Sequence, residues 1–137
     1  MEEAGIQPQA SLIVKVDDEL NSEEQMQEIE KEIKLLFLNN SDLDGIFAVN
    51  ELYAITAMKV ARQMGMRIPD DIQVIGFTDG VLSKHAVPSL TTVSQHSQQM
   101  GEKCAMLLID RLENEEEDEL YETVVIQTDL IERESTK

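Results

Sequence analysis

A chain of 137 residues, 42% of them apolar, can build one core of ordinary size but not two full domains. Its net charge of −17, from 28 acidic against 11 basic side chains with no Lys/Arg cluster, repels a phosphate backbone, so this segment by itself is not expected to bind nucleic acid. No apolar run approaches the ~18 residues of a membrane span, the first residues are acidic where an export signal would be basic, and the single cysteine, Cys104, reads as a buried hydrophobe in a reducing compartment; cytoplasm is expected, with no membrane partner.

Taken in order, Leu12, Ile13, Val14 and Val16 predict a short strand over 11–16, ended by Asp17, Asp18 and Glu19. Ser22 and Gln25 have capping-box spacing, and Met26, Ile29, Ile33, Leu36 and Phe37 recur at helical spacing to about Asn39. Residues 45–49 form a nearly continuous apolar run, the kind of strand buried on both faces of a parallel sheet, with Asn50 at its carboxyl end. Residues 51–64 read as a helix stopped by a left-handed Gly65, apolar almost all round and so covered from two directions, by the sheet and by a second subunit.

Pro69 turns the chain into a strand at 72–78, followed by a turn at Asp79-Gly80. Residues 81–88 are a mixed loop or short helix, and 90–93 a short strand. A last helix from His96 gathers Met100, Cys104, Leu107, Leu108 and Leu112 on one face. The acid run 114–119 is expected to be a solvated loop, 121–126 a closing strand and 130–135 a polar tail. Helices alternating with strands in this way predict an α/β fold around a parallel, Rossmann-like sheet.

In such sheets ligands gather where the strands' carboxyl ends open into a crevice, which singles out Asp18, Asn50, Thr78 and Asp79 as groups suited to hydroxyls or amides of a small polar solute. No enzyme constellation is present. His85 and His96 lack the spacing of a metal pair, and there is no nucleophile elbow or phosphate-cradling Gly loop, so neither catalysis, a metal nor a cofactor is expected. A rival is a phospho-accepting receiver domain, whose acidic pair Asp17-Asp18 resembles, but no strand ends in the required phosphorylated Asp followed by Thr and Lys strands.

Residues 44–51 (Asp-Gly-Ile-Phe-Ala-Val-Asn-Glu), 57–65, 68–79 (Ile-Pro-Asp-Asp-Ile-Gln-Val-Ile-Gly-Phe-Thr-Asp), 88–95 and the closing Leu-Ile-Glu-Arg-Glu-Ser at 130–135 together resemble the lactose-repressor/galactose-repressor family of transcription regulators. The resemblance implies a type I periplasmic-binding-protein-like fold and an effector-sensing, dimer-forming part of a regulator. The operator would be bound only by a DNA-binding head absent from this chain, and 96–120 would pack on a missing N-terminal subdomain.

By the same resemblance Asn50 is an effector contact. The dimer surface is the helix after it with the following loop, here Leu52, Tyr53, Ile55, Thr56, Met58, Lys59, Val81, Leu82 and His85. The family's Gly-aromatic-Asp contact is altered, since Thr78 follows Gly76-Phe77 and Asp79 comes one place later. No aromatic residue follows the acids at 17–19 to stack on a ring. A sugar-like effector and a homodimer are the implied partners; a fragment of an extracytoplasmic solute-binding protein is the alternative with the same fold.

Overall fold

The computed structural model describes residues 5, 7, 9–16, 22–113 and 122–137. Helix α1 (Ser22–Asn39) begins at Ser22 itself, which is its first helical residue and not its flanking cap, and Asn40 closes it by donating from Nδ2 to the Leu36 carbonyl at 2.8 Å. Its inward positions Ile29, Ile33 and Phe37 lie four residues apart on one stripe. They pack on Ala57, Val60 and Ala61 of α2 (Glu51–Gln63) and on Ile72, which forms the first core cluster. A second cluster joins Ala54 and Met58 of α2 to Ala48, Val74 and Leu90. Helix α2 is thus covered on one side by α1 and on another by the sheet, which accounts for much of its all-round apolar character.

Gly65 takes φ +80° just past α2. Its N–H donates to the Arg62 carbonyl and that of Met66 to the Ala61 carbonyl, both at 3.0 Å, the paired bonds of a Schellman cap. The sheet runs β1 (Gly45–Phe47), β2 (Gln73–Thr78), β3 (Thr91–Ser94), β4 (Asp129–Ile131) in spatial order. The first two pairings are parallel and the last antiparallel. Gly76 allows the close approach of α2, because a Cβ there would sit 2.9 Å from the Leu90 side chain and 3.2 Å from Ala54.

Cys104, expected to be a buried hydrophobe, is exposed, and three further sequence expectations are corrected. Residues 11–16 form no strand: a 3-10 turn at Ala10–Leu12 is followed by extended chain outside any ladder, with Ile13 half exposed. Among the described residues no strand lies beside β1, which is an edge three residues long, and Phe47 and Val49 are 60% and 67% exposed where burial on both faces was expected. Of the closing strand expected at 121–126, Tyr121 lies outside the described residues and 122–126 has no ladder partner; β4 pairs instead at 129–131. The acidic loop expected at 114–119 lies outside the described residues.

The tail at 130–135 is also not a free polar end. Along it burial alternates, with Ile131, Arg133 and Ser135 turned inward and their neighbours outward. Ser135 is fully buried, donating its hydroxyl to the Val74 carbonyl (2.6 Å) and accepting from the Thr91 N–H (2.8 Å), while its backbone bonds Val74 and Ser89. It therefore joins the first residues of β2 and β3. In contrast α4 (Ser97–Glu113) contains no buried residue, although Met106, Leu108, Ile109 and Leu112 lie on it more than half exposed.

Candidate functional site

Parallel pairing puts the carboxyl ends of β1 and β2 at the same rim. Asn50 and Thr78 each lie three residues past the last register pair, Phe47 with Ile75. Asn50 is the N-cap of α2: its backbone is extended, and Oδ1 accepts the Tyr53 N–H at 2.8 Å. Since Oδ1 is taken up by the helix, what this side chain can offer a ligand is the Nδ2 donor.

Beside it, Glu51 reaches across the rim. Its Oε1 accepts the Ser83 N–H at 2.6 Å, and its carboxylate lies over Gly80, where a Cβ would come 2.5 Å from Oε2. This bond ties the start of α2 to the first turn of α3 (Val81–His85). Between them, Thr78 (φ 122°) and Asp79 (φ 60°) make a corner in left-handed backbone.

Asp79 is held from two sides. Its Oδ1 accepts from Arg133 Nη2 at 2.5 Å, with the two side chains 17% and 15% exposed, and its Oδ2 faces Lys84 Nζ at 3.8 Å. Arg133 also donates Nη1 to the Leu90 carbonyl at 2.7 Å. Asp79 is thereby an anchor of the corner, with Oδ1 hydrogen-bonded and Oδ2 only in a longer ion pair. Asp18 lies outside the described residues. The rim thus joins Asn50, Thr78 and Asp79, and adds Glu51, Lys84 and Arg133, which sequence reasoning passed over. Only Arg133 left a signal, as the middle of the alternating set 131, 133, 135.

The expected dimer residues divide. Leu52, Val81 and Leu82 are 47%, 71% and 47% exposed, on α2 and α3; His85 is exposed and Tyr53 and Ile55 are half-buried. Thr56 and Met58 are corrected: both are buried within the chain, Met58 in the second core cluster and Thr56 with its hydroxyl on the Leu52 carbonyl. Lys59 is turned toward α1, where it pairs with Glu30.

The carboxylates with clearly lowered pKa lie away from this rim. Hydrogen bonds from the Arg67 side chain and backbone bring Asp71 to about 2. The hydrogen-bonded Lys137 ammonium lowers Asp70, and the Ser89 N–H and hydroxyl lower Glu134. Asp70 and Glu134 fasten the end of the chain, while Asp71 closes the local turn at 67–71. A hollow of about 610 Å³ lies between α4 and residues 124–129 and includes the pair His96 Nε2–Asp129 Oδ2 (2.9 Å); it contains none of the rim residues. Among the described residues no group of three or more His, Cys, Asp or Glu is arranged to hold a metal, and no helix is long and apolar enough to cross a membrane.

Comparison with known proteins identifies the family. Residues 1–136 match the periplasmic binding protein-like domain. The chain belongs to that family, in its lactose-repressor (LacI) type. It is 39% identical over 129 residues to the ribose operon repressor of Halalkalibacterium halodurans, covering 93% of this chain and 36% of that protein. With the HTH-type transcriptional regulator CelR of Thermobifida fusca it shares 37% identity over 94 residues, 69% of this chain and 27% of that one.

Among solved structures, the complex of the regulator CelR with cellobiose superposes with a TM-score of 0.81 at 30% identity, over 98% of this chain and 38% of the other. A LacI-type transcription regulator from Bifidobacterium animalis subsp. lactis gives 0.74 at 28% identity, over 82% and 39%. The chain therefore spans about a third of the length of the curated relatives it matches. The receiver-domain alternative is set aside by this match.

Proposed function

We propose that this chain is the effector-sensing and dimer-forming part of a LacI-type transcription regulator, and that the effector is a sugar or sugar-like metabolite. The observation that carries it is the rim itself. Asn50 and the Thr78–Asp79 corner stand together at the carboxyl ends of two parallel strands, where open α/β sheets take their ligands. Asn50 Nδ2 and the Thr78 hydroxyl suit a solute rich in oxygen acceptors, and the relatives named for ribose and solved with cellobiose support that chemistry. In the intact regulator a second subdomain would form the opposite wall of the cleft and pack on 96–120, and operator DNA would be held by a separate head. Closure of the cleft would then change how two copies meet and how the heads are spaced.

The exposed apolar side chains Leu52, Val81 and Leu82 support a homodimer contact through α2 and α3. The test is a thermal-shift titration with D-ribose, cellobiose and a nucleoside panel, with sedimentation in parallel. A sugar-dependent rise in Tm and a dimer lost on Leu82→Asp are expected. No shift with any sugar would remove the effector assignment, and a monomer at high concentration the dimer.

A further inference from the structure

Non-glycine residues rarely adopt positive φ, and a β-branched one at 122° is well outside its favoured basins. Such backbone persists only where the surroundings over-determine it. On its upstream side Thr78 is fixed by the ladder, opposite Ser94 of β3. Its downstream neighbour is fixed by charge: Asp79 is gripped by Arg133 at 2.5 Å in a largely buried pair. Arg133 is itself immobile, with Nη1 on the Leu90 carbonyl and its backbone N–H on Thr91 Oγ1 at 2.8 Å. Next to it Ser135 is sealed between β2 and β3.

A buried ion pair is a poor device for stability alone, because desolvation of both charges offsets most of their attraction. A planar guanidinium held on two sides is a good device for fixing one carboxylate in one place. We propose that Arg133 is a positioning residue of the effector rim. Through Asp79 it holds Thr78 in left-handed backbone and so sets the geometry in which that residue meets the effector. The inference rests on the effector reading above for what the corner does. It makes the end of the chain, 54 positions from Asp79, part of the sensing site.

A double-mutant cycle tests it without any ligand. Thr78→Gly is made in the parent chain, in Arg133→Lys, which keeps the charge and loses the fork, and in Asp79→Asn. Melting temperature and the HN–Hα coupling of residue 78 are read for each. Glycine accepts positive φ, so Thr78→Gly should raise Tm by about 3 °C in the parent. In either second background that gain should vanish, while Thr78, where retained, moves from a small coupling to the large one of extended chain in a spectrum that stays folded.

A plain structural role for Arg133 would lower Tm in all backgrounds alike and leave the coupling unchanged, and that result overturns the proposal. If Arg133→Lys fails to fold, the Asp79→Asn cycle decides alone. A cycle that holds while D-ribose and cellobiose cause no shift would defeat the effector reading and leave the positioning of the corner intact.

Discussion

The segment after β4 and helix α4 reverse what their compositions suggest. The first is short and polar, and holds a fully buried serine and a nearly buried arginine. The second carries Met106, Leu108, Ile109 and Leu112 and buries nothing. Burial here follows position relative to the sheet. Residues 131, 133 and 135 run beside the first residues of β2 and β3, where the polar groups of Arg133 and Ser135 meet backbone and side-chain partners. Helix α4 leaves the sheet after β3, and the hydrophobic area it presents has no counterpart within the described chain.

Breaking the tail should have the largest effect. Ser135→Ala leaves the Thr91 N–H and the Val74 carbonyl buried without a partner, and should cost roughly 2–4 kcal/mol, seen as a lower urea midpoint at unchanged slope. A loss below ~0.5 kcal/mol would mean the tail is held elsewhere. Next in size, Asn50→Ala should cost ~1 kcal/mol through the lost α2 cap, whereas Asn50→Asp keeps the capping oxygen and should be nearly neutral. If Asn50 donates to an effector, both variants abolish the ligand-induced thermal shift; Asn50→Asp retaining it would remove that contact.

On α4 the expectation is inverted. Leu108→Gln should change the unfolding free energy by no more than ~0.5 kcal/mol, while reducing any concentration-dependent association measured by sedimentation. A loss of ~2 kcal/mol or more in a dilute monomer would show that α4 is packed after all, and the contrast between the two regions would fail.

The smallest effect concerns pH. Asp71 falls from its ordinary 3.8 to about 2 in the folded chain, so its contribution is complete above 3.8 and is lost as pH drops toward 2. Asp70 and Glu134, also lowered, act in the same sense. All three are solvent-exposed, so the decline should be shallow, and Asp71→Asn should flatten it further. A decline unaltered in Asp71→Asn would place the acid-sensitive contact elsewhere.

Much of this fold is legible in the sequence, for physical reasons that differ by element. Helix α1 declares itself through the spacing of Ile29, Ile33 and Phe37, and α2 through Asn50 before it and Gly65 after it. Strand β2 is legible because it is central and its apolar run is continuous. The strand expected at 11–16 and the one expected at 121–126 have strand composition, but a strand exists only when a partner takes its hydrogen bonds, and propensity does not carry that information. At the rim, Asn50, Thr78 and Asp79 could be found as polar strand ends. The roles of Glu51 and Arg133 could not, since each depends on a contact far along the chain, Ser83 for one and Asp79 for the other.

Ser94 and Asp129 are register partners on adjacent antiparallel strands. The chain therefore departs from the sheet and re-enters it about one strand spacing apart, roughly 5 Å. Everything from 95 to 128, α4 included, is topologically an insert in what could be a hairpin. A two-residue Asn-Gly turn is long enough to splice β3 directly to β4. The spliced protein would keep both core clusters, the rim and the Ser135 staple, giving a minimal scaffold onto which excursions of other lengths could be grafted.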